Sequence, residues 1–102
     1  MPEYIKVAST DEVESGQGKL VEGQGNDIAL FNVDEKYYAI DNTCTHRGGP
    51  LSEGIVVGDE VTCPLHGAKF KVTSGEVCGP PAGKGVRNYN LKVSGSDIEI
   101  EL

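Results

Sequence analysis

An all-β fold of many short antiparallel strands is predicted by three features of this 102-residue chain. Apolar and polar residues alternate in runs of four to eight. Gly, Asn, Asp and Ser clusters separate those runs, and no window longer than about ten residues carries a helical period.

The elements follow in order. Tyr4 to Ala8 reads as a first strand, with Tyr4, Lys6 and Ala8 on one face and Ile5 and Val7 on the other. Ser9-Thr10-Asp11-Glu12-Val13-Glu14 has a capping residue followed by acids, which predicts one short helical turn. Two Gly-Gln-Gly triplets, 16–18 and 23–25, bracket a short strand at Lys19-Leu20-Val21-Glu22. A phosphate-binding loop would need a strand before such glycines and a helix after them; here they read as turns. Asp27 to Val33 and Lys36 to Ile40 form a hairpin around Asp34-Glu35, and Glu60 to Cys63 pairs with Ala68 to Val72 ahead of a Thr73-Ser74-Gly75 turn. Tyr89 to Val93 and Asp97 to Leu102 flank Ser94-Gly95-Ser96 as a last hairpin, with Ile98, Ile100 and Leu102 facing inward.

The net charge of −7 is concentrated in residues 1–41, with nine acids and three bases, whereas residues 42–81 carry four acids and three bases. Such a field repels nucleic acid and anionic membranes. The longest apolar run, Ile28 to Phe31, is four residues, far short of a membrane span. The N-terminus lacks the basic-then-apolar layout of a signal peptide. These features predict a cytoplasmic monomer, in which three cysteines point to metal or redox chemistry rather than a disulfide framework.

Both histidines and two of the three cysteines lie in two short motifs, Cys44-Thr45-His46 and Cys63-Pro64-Leu65-His66, with 16 residues between His46 and Cys63. Each loop thus supplies one thiolate and one imidazole. A zinc finger groups its soft ligands and its imidazoles separately, although a mononuclear Cys₂His₂ site remains an alternative. Two loops of this mixed kind, face to face, can offer two sulfurs to one metal and two nitrogens to another, which suits a two-iron cluster.

The pattern Cys44-x-His46-x₁₆-Cys63-x₂-His66, with Gly48, Pro50 and Gly67 beside it, resembles the Rieske [2Fe–2S] signature. The resemblance covers nearly the whole chain, residues 1–102 as a single domain. It implies an antiparallel β-sandwich base with an inserted cluster-binding subdomain at 42–81, and a covering proline loop at Cys78-Gly79-Pro80-Pro81. It also implies that Cys44 and Cys63 bind the buried iron, and that His46 and His66 bind the iron nearer the surface. Cys78 is left over and is expected to pack, partly buried, in the proline loop.

Rieske proteins of respiratory and photosynthetic complexes carry an extra cysteine in each loop, where this chain has Gly49 and Leu65. They also place Ser and Tyr hydroxyls near the cluster sulfurs, where Ala68 and Phe70 stand here. Fewer hydrogen bonds to the sulfurs imply a potential towards the lower end of the Rieske range, roughly −150 mV. The soluble low-potential ferredoxins of ring-hydroxylating oxygenase systems are similar to this chain. That similarity implies a one-electron carrier between a flavoprotein reductase and a terminal non-haem iron oxygenase. No second set of residues for catalysis is evident. Arg47, Pro50, Leu65, Pro80 and Pro81 are expected around the docking tip. A small subunit of another redox enzyme, such as a nitrite-reductase-like assembly, and a zinc-stapled interaction module are the alternatives.

Overall fold

The computed structural model describes residues 3–23, 25–43, 50–64, 67–79 and 85–101. Among them are strands β1 (Tyr4–Ser9), β2 (Gln17–Gly23), β3 (Asn26–Val33), β4 (Lys36–Asp41), β5 (Ile55–Val57) and β6 (Glu60–Thr62). β7 (Lys69–Lys71), β8 (Val77–Gly79), β9 (Asn88–Tyr89), β10 (Leu91–Ser94) and β11 (Asp97–Glu101) follow. The only helical turns among the described residues are two of 3₁₀ type, Thr10–Glu12 and Leu51–Glu53. The expected all-β class is what the molecule adopts.

Three antiparallel sheets result, ordered β1-β11-β10, β2-β3-β4-β9 and β5-β6-β7-β8. The central part of β3, in the middle sheet, is buried on both faces. Along β3, Ile28 and Leu30 join Ala8, Val21, Ala39, Ile98 and Ile100 in one apolar core. Ala29 and Phe31 point the other way and join Ile40, Leu51, Val61, Cys63, Ala68, Phe70 and Val72 in a second. Successive side chains of a strand alternate faces, so an unbroken apolar run is what a strand between two cores requires. The third sheet is built wholly from residues 55–79, inserted between β4 and β9, which are themselves neighbours in the middle sheet.

The hairpin turn Asp34-Glu35 has both residues at positive φ, +52° and +66°, as a primed turn demands. It is held by the Glu35 N–H, which donates to Asn32 Oδ1 at 2.9 Å. Buried Asn32 also donates to the Val13 carbonyl at 2.8 Å, so one side chain ties the hairpin to the segment after the first 3₁₀ turn. At that turn the Glu12 carboxylate accepts the Ser9 N–H at 2.6 Å.

Four expectations are corrected. In β1 the register to β11 shifts between Lys6 and Ala8. This bulge turns Ala8 inward beside Ile98 instead of outward with Tyr4 and Lys6. The Gly-Gln-Gly triplets are not simply turns. Gly16 and Gly25 take the positive φ of turn residues, but Gly18 and Gly23 lie inside β2. At Gly18 a Cβ would stand 2.6 Å from the Phe31 ring and 2.8 Å from the Ser52 carbonyl, so glycine is there for close packing. The run Tyr89 to Val93 is two strands, because the chain changes sheets at Asn90: β9 pairs with β4 and β10 with β11. Finally, β5 and β8 are strands where none was expected, each only three residues long. Leu102 lies outside the described residues.

Candidate metal centre

The two Cys/His motifs sit on stems closed by antiparallel backbone pairing. The first loop, 44–49, is pinched by a bridge between Thr43 and Pro50, reinforced by the Leu51 N–H donating to the Asn42 carbonyl at 2.7 Å. The second extends the β6–β7 hairpin. The Cys63 N–H donates to the Ala68 carbonyl at 2.7 Å, and Gly67 takes φ +74°, a left-handed conformation natural to glycine. Of the four expected ligands the described residues include Cys63, whose side chain is buried at 2% exposure in the second core. Cys44, His46 and His66 lie outside them, as do Arg47, Leu65, Pro80 and Pro81 of the expected docking tip; Pro50 is half-buried.

What brings the stems together is the Leu51–Glu53 turn. Leu51 is fully buried in the same core as Cys63 and Ala68. The turn is wedged between two glycines. Gly18 of β2 admits the Ser52 carbonyl, and Gly54 admits the Thr62 carbonyl and Val61 Cγ2, with which a Cβ would collide. Thr62 directly precedes Cys63, so the exit of the first loop rests on the entrance of the second. Asn42 fastens the other side. Its Oδ1 accepts the Ser52 N–H at 2.9 Å and its own N–H donates to the Asp27 carbonyl at 3.1 Å. Both Asn42 and Ser52 are buried.

The segment before β9 ties the insert to the middle sheet. The Val86 N–H donates to the Gly75 carbonyl at 2.8 Å, and the Asp41 N–H to the Arg87 carbonyl at 2.8 Å. The Tyr89 hydroxyl donates to Asp41 Oδ1 at 2.5 Å while the Arg87 guanidinium lies 4.8 Å over the Tyr89 ring. Burial, then the hydrogen bond and charge of Asp41, push the Tyr89 hydroxyl pKa up to about 12.

Ala68 and Phe70 are fully buried beside Cys63, so the positions that lack hydroxyls do face the interior. Cys78 departs from expectation: it is exposed on β8, with its Sγ 3.7 Å from the Glu76 carbonyl. Partial desolvation, then the acids Glu60, Asp59 and Glu76 against an opposing Lys71, hold its thiol above the ordinary range, which disfavours the reactive thiolate. It is not the packing residue its sequence context suggested. Sequence reasoning also missed Asn42, Ser52, Gly54 and the Asp41–Tyr89 pair. The available signal was the Asn-Thr-Cys run and the glycine four residues beyond Pro50, both outside the ligand pattern.

A family model, the Rieske [2Fe–2S] domain, matches residues 3–90. The chain belongs to the Rieske [2Fe–2S] domain family. A biphenyl dioxygenase ferredoxin subunit from Pseudomonas sp. (strain KKS102) is 36% identical over 100 residues, which is 97% of this chain and 92% of that one. The ferredoxin of carbazole 1,9a-dioxygenase from Nocardioides aromaticivorans IC177 superposes with a TM-score of 0.91 at 28% identity, covering 95% of each chain. A ferredoxin solved in a complex of reduced oxygenase and oxidized ferredoxin, also of carbazole 1,9a-dioxygenase, superposes at 0.89 and 28% identity, over 95% of this chain and 91% of that one.

A Rieske chain holds a [2Fe–2S] cluster, which sets the mononuclear zinc alternative aside. The described residues fit that group. Cys63 is buried where its pairing with Ala68 closes the β6–β7 hairpin, and the Thr43–Pro50 bridge leads into Leu51, which shares the same apolar core. Two thiolates and two imidazoles make the mixed donor set a Rieske cluster takes.

Proposed function

We propose that this chain is the ferredoxin component of an oxygenase system, carrying single electrons from a flavin-dependent reductase to a terminal non-haem iron oxygenase in the cytoplasm. Cys44 and Cys63 would hold the inner iron, and His46 and His66 the outer one. The observation that carries the reading is the convergence of two Cys/His loop stems on one buried core, in a chain matched over 95–97% of its residues by dioxygenase ferredoxins. Residues 42–81 form the cluster-binding unit within a single Rieske domain.

When bound, the cluster supplies a one-electron acceptor, more easily reduced than an all-thiolate cluster because two ligands are neutral. The chain's own residues do the rest. Leu51, Ala68 and Phe70 exclude water from the Cys63 side, and their lack of hydroxyls favours a potential near the low end of the Rieske range, roughly −150 mV. His46 and His66 would carry the electron outward at a tip that includes Pro50. Among the described residues no helix is long and apolar enough to cross a membrane.

The test is direct. Anaerobically purified protein should contain iron and sulfide in equal amounts, absorb visible light and be reduced by NADH with a catalytic amount of a flavoprotein ferredoxin reductase. The reduced protein should support single-turnover product formation by a ring-hydroxylating oxygenase. A chain that is reduced yet passes no electrons to any such oxygenase, while co-purifying with a larger redox enzyme, would instead be the small subunit raised from the sequence.

A further inference from the structure

Asn42, two residues before Cys44, lies outside the ligand pattern, yet its backbone and side chain together hold the first loop's stem. Its backbone carbonyl accepts the Leu51 N–H at 2.7 Å, its side-chain Oδ1 accepts the Ser52 N–H at 2.9 Å, and its backbone N–H donates to the Asp27 carbonyl of β3 at 3.1 Å. One residue thus holds the entry of the 44–49 loop, its exit and the middle sheet at once. The held element, the Leu51–Glu53 turn, bears through Gly54 on the Thr62 carbonyl, one residue from Cys63.

We infer that Asn42 is a positioning residue for the cluster, its Oδ1 setting where the Cys44/His46 loop sits relative to the Cys63/His66 loop. The reasoning is chemical. The Ser52 N–H is buried, so removing its acceptor leaves a donor with no water to turn to, and the turn must shift to satisfy it. Because Gly18 and Gly54 leave no slack on either side of the turn, a shift there moves one loop against the other. Partners of metal ligands placed in this way typically alter metal affinity by about 10–100-fold. The inference rests on Cys44 and His46 being ligands, and the control below keeps the two claims apart.

Asn42→Ala and Asn42→Asp are compared with the wild type, and with Cys44→Ser as the control on ligation. Three readouts are followed: the rate of cluster bleaching under a ferrous chelator, the g values of the reduced protein by electron paramagnetic resonance, and the reduction potential. Asn42→Ala should bleach at least tenfold faster and show altered g values. Asn42→Asp keeps an oxygen acceptor for Ser52; it should bleach within threefold of wild type with unchanged g values, and at a lower potential because a negative charge is added. Bleaching of Asn42→Ala within threefold of wild type with unaltered g values overturns the inference, and so does an Asn42→Asp variant that bleaches as fast as Asn42→Ala. If Asn42→Ala yields no folded protein, Asn42→Asp decides alone: retained cluster, unchanged g values and a lowered potential support the acceptor role, and any other result refutes it. A full cluster in Cys44→Ser would instead sink the ligand assignment, whatever Asn42 does.

Discussion

The two faces of β3 support regions of unequal self-sufficiency. On one face Ile28 and Leu30 meet β11 and its neighbours, where strands of four to six residues pair in long registers and close a core from their own side chains. On the other, Ala29 and Phe31 meet a sheet of three-residue strands. That sheet turns inward a single cross-strand row, Val56, Val61, Phe70 and Val77. A sheet with one inward row cannot bury enough apolar area to stand alone. The base folds on its aliphatic content; the insert has the borrowed face of the middle sheet and, on the function proposed above, a metal whose binding is coupled to folding.

The largest test of that asymmetry is Cys63→Ser. Cluster content should fall to near zero, and amide protection should collapse across β5 to β8 while β3 and β11 keep theirs, as hydrogen exchange would show. Uniform loss across both sheets would mean that the two regions form one cooperative unit.

Truncating β3 on either face sharpens the contrast. Leu30→Ala should cost about 2–5 kcal/mol and Phe31→Ala about 3–5 kcal/mol in denaturant unfolding. Only Phe31→Ala should also accelerate cluster loss, because only its ring lies in the core that contains Cys63. Gly54→Ala probes the join itself. Its Cβ would run into the backbone of Thr62, which cannot yield as a side-chain tip can, so a cost of about 1–3 kcal/mol and faster bleaching are expected.

The Tyr89–Asp41 pair, which fastens the segment after the insert to the base, gives a smaller and pH-dependent effect. Its folded pKa, about 12, lies above the ordinary tyrosine value of 10.0. A group whose folded pKa is raised binds its proton more tightly in the native state. Its contribution is therefore whole below pH 10 and is lost as pH climbs from about 10 through 12. Tyr89→Phe should destabilise by about 1–2 kcal/mol at neutral pH and flatten that alkaline decline in a melting-temperature profile. Smallest of all, Asp11→Lys with Glu14→Lys, at exposed acids on the base, should slow reduction by a reductase less than tenfold and weaken its salt dependence if the acidic half steers encounter. Identical stopped-flow rates at low and high salt would leave those acids a solvating role.

How much of this was legible in the sequence follows the same division. The base was readable because the period-two alternation of β11 and the unbroken apolar run of β3 directly record burial. What failed there was local. The Ala8 bulge and the change of sheets at Asn90 depend on partners far along the chain, and nothing in residues 4–8 or 89–93 encodes them. In the insert, the ligand pattern announced the chemistry, but β5 and β8 are too short to show a period. Asn42, Ser52 and Gly54 gain meaning only when two loops distant in sequence are stacked. Cys78 misleads because neighbouring prolines suggest enclosure, whereas among the described residues β8 is an edge strand and leaves the thiol in solvent.

The Asp34-Glu35 turn carries two side chains through backbone angles for which an Asn-Gly pair is better suited. It lies at the far end of β3 and β4 from the Asn42 stem, so it offers reserve for engineering. Rewriting those two positions could harden the molecule against heat by about 1 kcal/mol, worth several degrees of melting temperature, while leaving the redox tip as it is.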